Sequence, residues 1–172
     1  LQMLAASSLV LCLIVASLTA APKKIITRGS IKDRHGVALV TTQDDKRQNP
    51  YGALASHVLG YSQNGKGIDG VEKLLNVDLS EGKDVNLTID ARMQAMCERV
   101  LRESEIGRGA VVVMDPHTGD ILSMASVPNY EPQPLHQKIE QEHWEKLSLA
   151  ETKPLMNRAI TTVDPGSTFI LF

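Results

Sequence analysis

Ser167 is the residue of this 172-residue chain whose neighbours best suit it to nucleophilic chemistry. Pro165 and Gly166 break the chain before it, and Ser167 then reads as the N-cap of a helix. A hydroxyl at that position lies near the positive end of a helix dipole and beside free backbone N–H groups, where developing negative charge is favoured. Most serines at helix starts are caps and nothing more, so this position alone assigns no catalysis.

Other chemistry-bearing patterns have plainer readings. Gly65 to Gly70 (GKGIDG) satisfies G-x-G-x-x-G, but no buried strand ends at it and no parallel βαβ unit surrounds it, so dinucleotide binding is not expected. His136 and His143 flank Glu140 at a seven-residue spacing, which is not the i, i+4 pair of a zinc helix, and they read as surface histidines. His35, His57 and His117 fall singly in a turn, a helix and a turn, without a carboxylate partner that sequence can assign. Glu140 and Glu142 read as a solvated face. Cys12 and Cys97 lie far apart, in an apolar run and a helix, and suggest neither a disulfide framework nor a zinc spacing. No cofactor and no metal is expected.

The elements that must position Ser167 follow from charge and periodicity. A net charge of −2 gives no reason to expect nucleic acid as a partner. Met3 to Ala21 is uncharged and long enough to cross a bilayer, which predicts a single-pass anchor in contact with membrane lipid. A cleaved signal peptide is the competing reading, disfavoured by the bulky Leu18 three residues before a cut after Ala20 and by Pro22 after a cut at Ala21. Lys23, Lys24 and Arg28 follow the span and leave its orientation open on charge alone. Both ends, Leu1 and the apolar Ile170 to Phe172, read as cut from a longer chain.

Beyond Pro22, Ile25 to Lys32 and Val37 to Thr42 predict a hairpin about the turn Asp33 to Gly36. Gln43 to Asn49 reads as a loop, Ala53 to Leu59 as a short helix ending at Gly60, Ser62 to Gly70 as a second loop, and Val71 to Asn76 as helical. Val85 to Ile89 predicts a strand, with Asp90 capping a helix behind it. In that helix Met93, Met96, Cys97, Val100, Leu101 and Ser104 share one face, with Arg92, Glu98, Arg99, Arg102 and Glu103 mostly away from it. Ala110 to Met114 and Ile121 to Ser126 predict a second hairpin about Asp115 to Gly119, its first strand apolar enough to be buried. Leu135 to Ala150 reads as a surface helix or an ordered loop.

Several blocks in a fixed order resemble the class B penicillin-binding proteins. Asn157 to Ala159 (NRA) with Pro165 to Phe169 (PGSTF) looks like the segment carrying that family's active-site serine, which is followed three residues later by lysine. Arg28 to Gly36 (RGSIKDRHG) resembles the block after the anchor, with His35 where asparagine is usual. Asn49 to Gly52, Ala55 to Gly60 and Gly67 to Glu72 resemble blocks of the non-catalytic pedestal. Leu87 to Asp90 with Gln94, then Gly109 through Ser126 to Tyr130, resemble the entry to the transpeptidase domain.

The resemblance implies an α+β protein. Its expected parts are an anchor over residues 1–22, a shortened pedestal over 23–84, and the start of a transpeptidase domain over 85–172. It implies an acyl-serine mechanism on peptidoglycan stem peptides, with Ser167 as the nucleophile that β-lactams also acylate. It places the bulk of the chain outside the cytoplasmic membrane, among division or elongation proteins. Three departures from the pattern stand out, one being that only Lys73 to Asn86 separates the block ending at Glu72 from the one starting at Leu87. Ile170 holds the lysine position, and the family's S-x-N and K-T-G elements lie downstream of the serine, so this stretch is expected to be inactive. A non-catalytic membrane-tethered scaffold is the rival reading, and an unrelated secreted binding domain a more distant one.

Overall fold

The computed structural model describes residues 26–137 and 141–161, without the side chain of His143. The expected span at Met3 to Ala21 and the segment carrying Ser167 and Ile170 lie outside the described residues. Among the described residues no helix is long and apolar enough to cross a membrane. Helices and strands are both present, as expected.

The first sheet grows from the hairpin read in the sequence. Strand β1 (Ile31–Lys32) pairs antiparallel with β2 (Ala38–Gln43), Ile31 opposite Val40. The turn between them is held by Asp33, whose Oδ1 accepts from the backbone N–H groups of His35 and Val37, each at 2.8 Å. The polar stretch Gln43 to Asn49 is not a loop. Asp44 and Asp45 both take positive φ, 49° and 57°, the hairpin geometry that matches strand twist, and the chain returns as β3 (Lys46–Gln48). Its composition hid it because the inward residue is an arginine, Arg47, buried against a carboxylate rather than against hydrocarbon.

Helix α1 (Ser56–Leu59) stops at Gly60, φ 71°, and a small hairpin follows, β4 (Ser62–Gln63) and β5 (Lys66–Gly67). Helices α2 (Gly70–Leu74) and α3 (Asn76–Ser80) then return the chain to the sheet. Two glycines of GKGIDG, Gly67 and Gly70, serve backbone packing, and Gly65 supplies a positive φ of 75° in the turn. A Cβ on Gly67 would fall 1.9 Å from the Glu72 carbonyl oxygen, and one on Gly70 2.6 Å from the Gly60 nitrogen. Strand β6 (Val85–Asn86) joins parallel to β1 and completes the order β3-β2-β1-β6. Only two residues of the expected Val85 to Ile89 strand pair formally, although Leu87 still donates to the Lys32 carbonyl and Ile89 accepts from Arg34. Ile31, Leu39, Val40, Ala55, Leu59 and Leu79 form the core over this sheet.

Helix α4 (Ala91–Glu103) is capped as read: Asp90 Oδ1 accepts from the N–H groups of Arg92 (2.9 Å) and Met93 (3.2 Å). Its orientation differs from expectation. Gln94 and Glu98 are buried, at 1% and 2% exposure, while Met96 and Val100 stand 52% and 58% exposed. Met93, Cys97 and Leu101 of the expected face stay half-buried, and the second hairpin explains why the helix is turned toward its polar pair. Strands β7 (Gly109–Met114) and β8 (Ile121–Val127) pair with Val113 opposite Ser123 and Val111 opposite Ala125, and the face bearing Ser123 offers the helix polar partners. Ala110, Val112 and Met114 on β7 are exposed, so the strand expected to be buried is covered on one face only among the described residues. A 3₁₀ turn (Gln133–His136) and helix α5 (Gln141–Ser148) occupy the stretch read as a surface helix or loop.

Candidate functional site

The segment leading to Ser167 is anchored on β8. The Ser126 hydroxyl, 2% exposed with its residue, accepts from the Arg158 backbone N–H at 2.9 Å and donates to the Met156 carbonyl at 3.3 Å. One side chain therefore grips the backbone on both sides of Asn157. The Arg158 guanidinium donates to the carbonyls of Thr152 (2.6 Å), Lys153 (3.3 Å) and Met156 (3.3 Å), closing the preceding loop on itself. Asn157 makes the turn, its Oδ1 accepting from the Ala159 N–H at 3.1 Å and its carbonyl from the Thr161 hydroxyl at 2.6 Å. The NRA triplet thus has a physical task, which is to hold the turn over residues 156–161 against β8.

Beneath this grip lies a buried polar network that sequence reading missed. Gln94 Oε1 accepts from the Ser123 hydroxyl (2.9 Å) and the Met124 N–H (2.8 Å), and its Nε2 donates to Glu98 Oε1 (2.9 Å). Glu98 also accepts from the Ala55 N–H (2.8 Å) and Asn129 Nδ2 (2.9 Å). Both carboxylate oxygens are used, so the helix, the β7–β8 hairpin and the entry to α1 share one set of bonds. The available signal was the i, i+4 pair Gln94 and Glu98 on the face opposite the methionines. Amphipathicity alone assigns such a face to solvent.

Two histidines, neither paired by the sequence reading, extend the seam. His57, 8% exposed, donates through Nε2 to the Pro154 carbonyl at 2.8 Å and meets the Tyr130 ring edge-on at 5.3 Å. His136, expected on a solvated surface, is half-buried. Its Nδ1 lies 3.1 Å from the Ser62 nitrogen and 3.2 Å from the Ser62 carbonyl oxygen, and its Nε2 lies 2.7 Å from Asn49 Oδ1. Gln133 adds bonds to the Arg47 carbonyl and the Asn49 N–H. His35, by contrast, is exposed and pairs with Asp90 at 3.1 Å, and His117 contributes a backbone N–H to its turn.

Burial pushes both seam histidines below their ordinary values, with Arg158 opposing charge on His57, and Arg47 and Arg28 opposing it on His136. The unfolded chain binds protons near pH 6.5, where the folded chain does not. Stability is therefore full above about pH 6.5 and falls as pH drops below it, by at most about 1.4 kcal/mol per pH unit for each histidine. Urea melts between pH 7.5 and 5 should show this slope, and His57→Gln and His136→Gln should each flatten it. A slope unchanged in both variants would remove the seam histidines from the account.

A second polar centre joins the blocks RGSIK and GIDGVE. Glu72, with no exposed surface, accepts from Arg28 (2.7 Å) through one oxygen and from Arg47 (2.6 Å) through the other. Arg28 also donates to the Gly65 carbonyl and Asn76 Oδ1, and Arg47 to the Gly29 carbonyl and Thr42 Oγ1. Among the described residues no cluster of histidine, cysteine and carboxylate side chains could hold a metal ion.

The ordered frame from β7 through the NRA turn coincides with a known family. The penicillin binding protein transpeptidase domain matches residues 109–170, a stretch that begins at the first residue of β7 and includes Ser167. The probable peptidoglycan D,D-transpeptidase FtsI of Caulobacter vibrioides is 35% identical over 141 residues, covering 76% of this chain and 22% of the relative. The chain belongs to the penicillin-binding proteins. Peptidoglycan D,D-transpeptidase MrdA of Salmonella typhimurium is 28% identical over 195 residues, covering 84% of this chain and 30% of the relative. The crystal structure of Pseudomonas aeruginosa PBP2 in complex with WCK 5153 superposes with a TM-score of 0.69 at 31% identity, over 76% of this chain and 34% of that one. The chain thus spans less than a third of the length of these two curated relatives. Within a penicillin-binding protein, the Ser126 grip and the Gln94–Glu98 network hold the NRA turn and the elements that precede it.

Proposed function

We propose that this chain is the part of a peptidoglycan D,D-transpeptidase that carries the nucleophile, Ser167, on a frame held by Ser126, Arg158 and the Gln94–Glu98 network. The observation that carries the reading is that the family match runs unbroken from β7 to Ile170, through the docked NRA turn. In the reaction so assigned, the Ser167 oxygen attacks the carbonyl of the penultimate D-Ala of a stem peptide and the terminal D-Ala leaves. An amine of a neighbouring strand then takes the acyl group and frees the serine. β-Lactams acylate the same oxygen where a lysine follows the serine three residues later, and with Ile170 in that place this stretch is itself inactive. The domain plan follows the sequence: an anchor over residues 1–22, a pedestal over 23–84 and transpeptidase sequence from 85, on the outer side of the cytoplasmic membrane. Cell-wall assembly proteins of division or elongation are the partners.

A hybrid tests this reading. When residues 26–161 replace the aligned stretch of the Pseudomonas protein, the product should fold and be labelled by a fluorescent penicillin within about tenfold of the parent rate, because the frame and not the identity of its surface positions the serine. A hybrid that melts cooperatively yet is not labelled would overturn the assignment. The anchor is tested separately. A retained span at Met3 to Ala21 keeps the protein in the membrane pellet through an alkaline or high-salt wash, since apolar insertion is not undone by screening. Release with a new amino terminus at Ala21 or Pro22 would establish a cleaved signal peptide.

Ile170 favours a second reading in which the chain is a non-catalytic, membrane-tethered scaffold of the same assembly. A branched hydrocarbon stands where the family places the lysine that takes the serine proton.

A further inference from the structure

We infer that the cavity between Arg28, Arg47, Lys46 and Ser62 binds a small oxyanion, a phosphate or a carboxylate. It measures about 280 Å³ and lies where β2, β3, β4 and the 3₁₀ turn meet. That volume is at the lower edge of small-molecule sites, enough for an oxyanion with few further atoms.

Charge is the first argument. Glu72 is one carboxylate shared by two guanidiniums whose side chains are 8% and 5% exposed, so the buried triad carries a net positive charge. Of the other charges lining the cavity, Lys46 and Asp45 offset one another. Asp84, which also acts on Arg47, is held by Lys32 at 2.7 Å. A buried charge without a counter-ion is costly, and an anion entering the cavity would supply one.

Hydrogen bonding is the second, independent argument. Arg28 uses Nε, Nη1 and Nη2, and Arg47 uses Nε and Nη1, each on an acceptor. Arg47 Nη2 is buried and has none. Arg47 lines this half-open cavity, and a guanidinium with one unpartnered edge suits an oxyanion, which accepts through planar or tetrahedral oxygens. The charge state agrees with this. Burial pushes the Arg47 guanidinium below its ordinary value, the attraction of Glu72 does not fully offset that, and Arg28 adds repulsion. A bound anion would relieve all of these.

The experiment uses the full 172-residue chain in a neutral detergent, with its thermal midpoint followed as inorganic phosphate or acetate replaces chloride at constant ionic strength. Either oxyanion should raise the midpoint saturably, by roughly 2 to 4 °C at ten times its dissociation constant. Phosphate alone doing so assigns a phosphate ligand, and acetate alone a carboxylate. Lys46→Gln, at the rim and outside the triad, should weaken binding at least about threefold. Lys66→Gln removes the same charge from a residue that does not line the cavity and should leave binding within about twofold. Arg47→Lys should abolish it, and the two lysine variants decide the matter if that protein does not fold. Neither oxyanion exceeding chloride, or equal weakening by Lys46→Gln and Lys66→Gln, would overturn the site and leave Nη2 to a buried water.

Discussion

When the Pseudomonas hybrid is extended through position 170, the form with Ile170→Lys should be acylated by a fluorescent penicillin at least about a thousandfold faster than the form that keeps isoleucine. A serine hydroxyl is a poor nucleophile near neutral pH and needs a positioned base within hydrogen-bond reach. On a helix, residues three apart share a face one turn from each other, and from there a lysine amine could take the proton of a serine whereas a sec-butyl group could not. The groups of a nucleophile–base unit act together, so losing one removes most of the rate. Ser167→Ala in the lysine form should bring labelling to the isoleucine level. Equal rates for lysine and isoleucine would mean that another base serves Ser167, and the proposed inactivity would fall. For the unmodified 172-residue polypeptide the expected result is no labelling, and stoichiometric adduct at Ser167 by mass spectrometry would sink that claim.

The elements legible in the sequence are those decided within a few residues. Asp90 caps α4 because a carboxylate two and three residues ahead of free N–H groups has no nearer use. Gly60 ends α1 at a positive φ of 71°, and Asp115 to Gly119 turns the second hairpin. What misled were residues whose partners lie far along the chain. Glu98 was placed toward water because a carboxylate on an amphipathic helix normally is, yet its acceptors are spent on Ala55, 43 residues away, and Asn129, 31 residues away. His136 reaches Asn49 across 87 residues. Strand β3 was hidden for the same reason, its inward Arg47 meaning nothing until Glu72 is opposite it. The polar seam, not the apolar core, is where single-sequence reading gives out. An apolar face is satisfied by any apolar surface, whereas a buried donor needs one particular acceptor.

Glu72→Gln should be the most destabilising conservative change among the described residues, costing about 3 to 5 kcal/mol in urea melts of the full chain. Glutamine preserves the volume, so the cost is not a cavity. It arises because two guanidiniums remain buried with no counter-charge, and because the new NH₂ group points a donor at a donor. The arginines cannot retreat cheaply, since Arg28 also satisfies the Gly65 and Glu72 carbonyls and Arg47 the Gly29 carbonyl. Those bonds tie the segment before β1, the β4–β5 turn, β3 and α2 together, so turning either side chain to solvent leaves carbonyls without their donors. Domains of this size are stable by about 5 to 15 kcal/mol, so the variant should be marginal, with a thermal midpoint lower by roughly 6 to 20 °C. The contrast is Asp84→Asn. It breaks the exposed pair with Lys32, whose side chains are 33% and 46% exposed, and water screening should hold its cost to about 1 kcal/mol or less. Comparable losses from the two substitutions would mean that the triad is solvated in solution. The joining of the RGSIK and GIDGVE blocks would then need another cause.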